Sequence, residues 1–144
     1  MVEILQFDSS DYDEVMALWQ RTEGLTLRDA DSRAAVTRYL VHNPGLSFVA
    51  RDGGRVVGAV LAGTDGRRGY LQHLAVAPTH RRQGLGTNLA NRVLTALRAR
   101  GIAKCHLFIR CENRQGRQFW ESLGWTARDD VTLMSQLDSE GAND

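Results

Sequence analysis

Lysine is nearly missing from this 144-residue chain, where Lys104 stands alone, and cysteine and proline occur twice each. Cys105 and Cys111 lie in the run KCHLFIRC, about 20 Å apart along an extended strand and too far for a mutual disulfide. Their spacing is not CxxC, and no His or Cys cluster with a zinc pattern stands nearby, so neither a disulfide staple nor a metal centre is expected. No apolar run approaches the roughly 20 residues of a membrane span, and the opening MVEILQFDSSDYDE lacks the basic start and apolar stretch of a signal peptide. A cytoplasmic protein is expected. Charge of one sign is lacking too: 18 Lys+Arg face 17 Asp+Glu, for a formal +1. Without a basic face, nucleic acid is not expected as partner, and without an apolar span neither is a membrane.

What the chain does have is enough apolar residue, 42%, to build one core without staples. A single domain over residues 1–144 is expected, with a polar, frayed tail over 138–144. Val2 to Gln6 reads as a strand, and Ser9 or Ser10 as the cap of a helix carrying Tyr12, Val15, Met16 and Trp19, ended by Gly24. Asp31 and Ser32 form a capping pair ahead of a second helix with Val36, Tyr39 and Leu40. Leu46 to Arg51 and Arg55 to Ala62 flank Asp52, Gly53 and Gly54, a hairpin signal, and Tyr70 to Ala77 is a further strand. A long helix from Gly86 or Thr87 to Arg100 lines one face with Leu89, Val93 and Leu97. Lys104 to Cys111 reads as a strand, Asn113 to Leu123 as a short helix, and Trp125 to Ala127 and Val131 to Leu137 as two last strands. The pattern is α/β, with an early antiparallel sheet that turns parallel across the long helix.

The chemistry sits where a strand ending in Leu74, Ala75 and Val76 runs through Arg81, Arg82, Gln83, Gly84 and Leu85 into Gly86 and Thr87 at a helix start. Free amides and the positive end of the helix dipole hold an anion at such a place. Gly84 and Gly86 remove the β-carbons that would block a phosphate, and Arg81, Arg82 and Thr87 add charge and a hydroxyl. A nucleotide-kinase loop needs a lysine before Thr87, and a dinucleotide loop needs a third glycine where Leu89 stands; neither is present.

The surviving pattern, Arg81-x-x-Gly84-x-Gly86 after that strand, resembles the first signature of the GNAT family of N-acetyltransferases. Asn113, followed by the run FWESLGW from Phe119 to Trp125, resembles the family's second signature. The likeness runs from Val2 to Leu137. It implies a mixed sheet of about seven strands, four helices on both faces, and a splay between the fourth and fifth strands. It also implies that acetyl-CoA is the cosubstrate. The pyrophosphate would rest on the amides of Arg82 to Thr87, and the pantetheine arm would pair with backbone at Leu74 and Val76. Asn113 would contact the pantetheine or thioester end, and Phe119 and Trp120 would border the thiol. Members are often homodimers, and a homodimer is expected by analogy alone.

Two positions depart from the family. Trp120 stands where a tyrosine often protonates the departing thiolate, and an indole N–H is no acid near neutral pH. The base is open between Tyr70, which titrates too high unless perturbed, and His73, which strict strand alternation points to the other sheet face unless a β-bulge redirects it. The other inward positions, Gln72 and Phe108, do not titrate. His42, His80 and His106 read as structural. The acceptor pocket is expected from Trp19 to Asp31, with Trp19, Glu23 and Leu25 as contacts and the acidic groups Glu23, Asp29 and Asp31 suited to a cationic amine, although Asp31 reads chiefly as a cap. The acceptor expected is a primary amine of a small molecule or peptide, acetylated directly in a ternary complex. A non-catalytic acyl-CoA-binding module is the competing reading, and a nucleotide-phosphate binder a third.

Overall fold

The computed structural model describes residues 1–138. Five strands form one sheet in chain order: β1 (Val2–Gln6), β2 (Phe48–Asp52), β3 (Arg55–Thr64), β4 (Gly69–Val76) and β5 (Cys105–Leu107). The first three pairings are antiparallel and β4 with β5 is parallel; short turns join β2 to β3 and β3 to β4, the long segment with α1 and α2 joins β1 to β2, and the crossover through α3 joins β4 to β5. Gly53 and Gly54 both take positive φ, +59° and +86°, which is the geometry a tight β2–β3 hairpin needs at its two central residues.

The described residues form four helices, α1 (Tyr12–Gln20), α2 (Arg33–His42), α3 (Leu85–Ala99) and α4 (Arg114–Ser122), and α1, α2 and α3 pack on the sheet. Helical spacing puts Tyr12, Val15, Leu18 and Trp19 on the buried face of α1, and Leu85, Leu89, Val93 and Leu97 on that of α3. Each fully buried leucine contributes about 2 kcal/mol by leaving water. Glycines let α3 lie close to the sheet: a β-carbon on Gly58 would stand 3.1 Å from Leu89 Cδ1 and one on Gly69 2.5 Å from Leu97 Cδ1. On the opposite face α2 packs with Tyr39 and Asn43 beside Gly63. Arg51 of β2 fastens α1 by donating to Asp11 at 2.6 Å and Glu14 at 3.0 Å. No helix among the described residues is long and apolar enough to cross a membrane.

Several expected boundaries move. The sheet has five strands rather than about seven, because Trp125 to Ala127 and Val131 to Leu137 pair with nothing among the described residues. Alternation in the second of these buries no face: Val131, Leu133 and Met134 are 66%, 68% and 87% exposed. The strand expected from Lys104 to Cys111 stops at Leu107, since the chain then leaves Phe108 exposed and turns, with the Asn113 amide donating to the Arg110 carbonyl. Asp8, not Ser9 or Ser10, caps the 3₁₀ turn that leads into α1, by accepting the Ser10 amide at 2.9 Å. The frayed tail expected over 138–144 lies, apart from Asp138, outside the described residues.

β4 carries the feature that positions the site. It pairs with β5 only from Gly69 to Leu71, so from Gln72 to Val76 its outer edge has no strand partner among the described residues. This open edge, left because β5 ends after three residues, lies where a splay between the fourth and fifth strands is expected. Against β3, Leu61 faces His73 while Ala62 faces Leu71, which leaves Gln72 as the extra residue of a β-bulge.

Candidate active site

The loop from β4 to α3 bends through a 3₁₀ turn at Pro78–His80 and then takes two left-handed residues, Arg82 at φ +61° and Gly84 at φ +77°. Arg82 is the one non-glycine residue with positive φ among those described. Left-handed residues among extended and right-handed ones turn successive amides toward one side, which makes an anion cradle. Gly84 caps α3 without a side-chain bond, so the first-turn amides stay available to a ligand.

Beside this loop opens a cleft of about 460 Å³. Its walls are Leu74, Ala75 and Val76 of β4, Arg81, Arg82, Gly84, Leu85, Gly86 and Thr87 of the loop and α3, Phe119 of α4, and Thr22 and His80. The two glycines earn their positions differently. A β-carbon on Gly86 would meet Phe119 Cζ at 3.2 Å and Leu74 Cδ2 at 3.6 Å, whereas Gly84 has open space and is held to glycine by its φ. Arg81 donates from Nε to the Val76 carbonyl at 3.1 Å, so this cation is directed at the strand end that the resemblance gives to pantetheine.

The remaining expected residues do not all reach the cleft. Gln83 lies in the loop and is exposed, outside the lining. Asn113 caps α4, its Oδ1 accepting the Gly116 amide at 2.9 Å. Trp120 stands behind the cleft rather than in it, edge-on to Phe119 at 4.9 Å and to Trp125 at 5.0 Å between ring centroids. Tyr70 lies near the start of β4, hydrogen-bonded to Asp65 at 3.3 Å and tilted over His106, and is outside the cleft lining, which β4 enters at Leu74.

Trp19 corrects the expected acceptor pocket. It is fully buried in the core, because the face of α1 that carries it packs on the sheet, so it lines nothing a substrate reaches. Leu25 packs against the same core and Glu23 is exposed. Thr22, two residues before Gly24, was the residue of this loop that reaches the cleft. Nothing in its sequence context singled it out.

His73 is redirected by the bulge. Its ring lies edge-on to Trp19 at 4.9 Å, while the neighbouring Gln72 reaches the Tyr39 hydroxyl at 3.4 Å. Both side chains thus turn to the face covered by α1 and α2, which strict alternation forbids and a bulge allows. His73 Nε2 meets Asp31 Oδ1 at 2.8 Å, and Asp31 Oδ2 accepts the Arg28 amide at 2.9 Å. Asp31 is buried; burial works against its charge, but the His73 and Arg28 hydrogen bonds outweigh it and hold the carboxyl below its ordinary range. Asp31 therefore does more than the capping expected of it, and the α2 cap itself is Ser32, accepting the Ala35 amide at 3.2 Å.

His80, expected as structural, joins the lining while its Nε2 bonds Asp52 at 2.8 Å and its Nδ1 bonds Thr79 at 2.7 Å. Both cysteines are free. Burial pushes the Cys105 thiol up to about 11, so it is no nucleophile near neutral pH.

Comparison with known proteins agrees with this architecture. The model of the acetyltransferase (GNAT) family matches residues 11–125. An acetyltransferase of Sodalis glossinidius is 35% identical over 135 residues, covering 94% of each chain. The PaiA N-acetyltransferase of Thermoplasma acidophilum, solved in complex with coenzyme A, superposes with a TM-score of 0.80 at 16% identity, over 99% of this chain and 94% of that one. A ribosomal-protein-alanine N-acetyltransferase of Brucella melitensis superposes with a TM-score of 0.68 at 18% identity, over 95% and 100%. The chain belongs to the GNAT family of N-acetyltransferases.

Proposed function

We propose that the protein transfers the acetyl group of acetyl-CoA directly to a primary amine, of a small molecule or a peptide, in a ternary complex in the cytoplasm. The observation that carries this reading is the cleft itself, where the open edge of β4, the left-handed loop at Arg82 and Gly84, and Phe119 of α4 converge. The amides from Arg82 to Thr87 would hold the pyrophosphate, and the backbone at Leu74 and Val76 would receive the pantetheine arm. Gly86 fits this role because any side chain there would enter the space between Leu74 and Phe119.

Placing the thioester along the open edge brings it past the bulge. Of the two candidate bases, His73 stands at that bulge and Tyr70 at the far end of the strand, so His73 is the residue we assign to the amine proton. Trp120 supplies no acid, and the thiolate takes its proton from solvent. Holding amine and thioester in near-attack geometry then provides most of the acceleration.

Isothermal titration with acetyl-CoA, with ATP and NAD as controls, tests the cosubstrate, and a thiol-release screen over small amines and peptide N-termini tests the transfer. Saturable binding to acetyl-CoA alone with amine-dependent release is the expected result. Binding without release by any amine would favour the non-catalytic acyl-CoA module, a reading that draws on the absence of an acid at Trp120.

A further inference from the structure

Asp31 and His73 are 42 residues apart in sequence and meet through one side-chain hydrogen bond. The carboxylate is ionised, so it can only accept; Nε2 of His73 must carry the hydrogen, and in the neutral ring Nδ1 is left with the free lone pair. Nδ1 bonds to nothing among the described residues. The one buried side-chain nitrogen or oxygen without a partner among them is Trp19 Nε1, so Nδ1 keeps contact with solvent, consistent with the 17% exposure of the His73 side chain.

The rest of the surroundings fix the pair. Tyr12 donates its hydroxyl to the Asp31 carbonyl at 2.6 Å, Arg28 donates its amide to the second carboxylate oxygen, and Trp19 backs the imidazole ring. Bulge, ring contact and carboxylate together leave His73 one tautomer and a narrow range of orientation. Leu74, the next residue, lines the cleft.

We propose that Asp31 is a positioning residue for catalysis: it holds His73 with Nε2–H bound and Nδ1 presented as the proton acceptor for the incoming amine. This rests on the acetyltransferase function proposed above. His73 Nδ1 takes one proton from the ammonium form of the acceptor. The freed nitrogen lone pair then forms the C–N bond at the thioester carbonyl carbon, and the C–S bond breaks with its electron pair on sulfur. The second nitrogen proton passes to the thiolate through solvent, and His73 returns its own to solvent. Asp31 stabilises the imidazolium in between without itself being protonated.

Two measurements on the full chain test the dyad. Long-range ¹⁵N–¹H spectra of the labelled protein should show His73 with Nε2 protonated and Nδ1 bare; the opposite tautomer would overturn the proposal without any need for turnover. In the thiol-release assay, Asp31→Asn should lower kcat by about tenfold or more while the KM for acetyl-CoA stays within about twofold. His73→Gln should cost at least as much, and adding Asp31→Asn to it should cost little more, since the two act as one unit. A full further loss in the double variant would show that Asp31 acts only on the fold. Should Asp31→Asn fail to fold, Asp31→Glu and the wild-type tautomer decide the question. Wild-type protein that binds acetyl-CoA and releases no thiol with any amine would overturn the function and the dyad together, whereas full turnover insensitive to Asp31 overturns the dyad alone.

Discussion

The carboxamide of Asn113 occupies the space into which a side chain on Gly24 would grow: a β-carbon there would stand 2.7 Å from Asn113 Nδ2. The same side chain caps α4, so the loop after α1 and the start of α4 are packed through one residue. Gly24 also takes φ +79°, which an L side chain adopts at a cost of about 1–2 kcal/mol. Gly24→Ala should therefore destabilise by about 2 kcal/mol or more, through strain and contact together. Asn113→Ala removes the cap at about 1 kcal/mol, but it also clears the space. Denaturant melts of both variants and the double should show less than the sum, and strict additivity would mean that the two residues do not share this contact.

The cradle separates backbone strain from ligand contact at Arg82. Arg82→Gly relieves a left-handed non-glycine residue and should raise stability by up to about 1 kcal/mol. It also removes a cation beside the cleft, so affinity for acetyl-CoA should fall several-fold. Arg82→Ala keeps the strain and loses the charge. It should show the affinity loss without the gain in stability. Titration calorimetry and thermal melts on the pair check both parts, and unchanged affinity in both variants would remove Arg82 from the anion site.

At Gly86 the expected defect is local. Gly86→Val pushes against Phe119 and Leu74 at the cleft wall, and acetyl-CoA affinity should fall by more than about tenfold with only modest loss of stability. Gly84→Val meets no neighbour but sits at φ +77°, so its melt should fall further than that of Gly86→Val. Calorimetry and melts of the two variants side by side give the comparison, and wild-type affinity in Gly86→Val would refute the placement of the ligand.

Much of this architecture was written in local pattern. The hairpin at Gly53 and Gly54, the buried stripe of α3 and the strand–loop–helix at Leu74 to Thr87 each follow from a few neighbouring residues, and the structure keeps them. What local pattern missed depends on partners distant in sequence. Strict alternation cannot foresee that Gln72 is an extra residue opposite β3, so the aim of His73 was open until pairing was known. Asp31 reads as a cap because caps are local, while its bond to His73 spans 42 residues. Val131 to Leu137 alternates like a strand, yet alternation without a neighbouring edge supplies no hydrogen bonds. Trp19 illustrates the reverse case: a large aromatic near a loop suggested a pocket wall, and the buried stripe of α1 took it for the core.

Trp120 bears on the missing acid. It meets Phe119 and Trp125 edge-on and packs against the core, outside the cleft lining. A tyrosine there would lose part of this packing before it reached a thiolate. Trp120→Tyr should lower stability by about 1 kcal/mol, and turnover should stay level or fall. A clear rise in kcat at constant acetyl-CoA affinity would instead show that proton donation limits the reaction and that the position does reach the sulfur.

Asp31 also links stability to pH. Its carboxyl is held below the usual value by the His73 and Arg28 hydrogen bonds despite burial, and the unfolded chain restores it to about 3.9. The unfolded state thus binds a proton more readily, and stability from this group is fully present above that value and is lost as pH falls through the lower folded one. Asp31→Asn removes the contribution at every pH. The stability gap between wild type and variant should accordingly be widest from about pH 5 upward and narrow below about pH 4. Urea unfolding of both proteins across that range measures it. A gap that stays constant down to acid pH would mean that the carboxylate is not preferentially stabilised in the folded state, and would remove the electrostatic basis for its hold on His73.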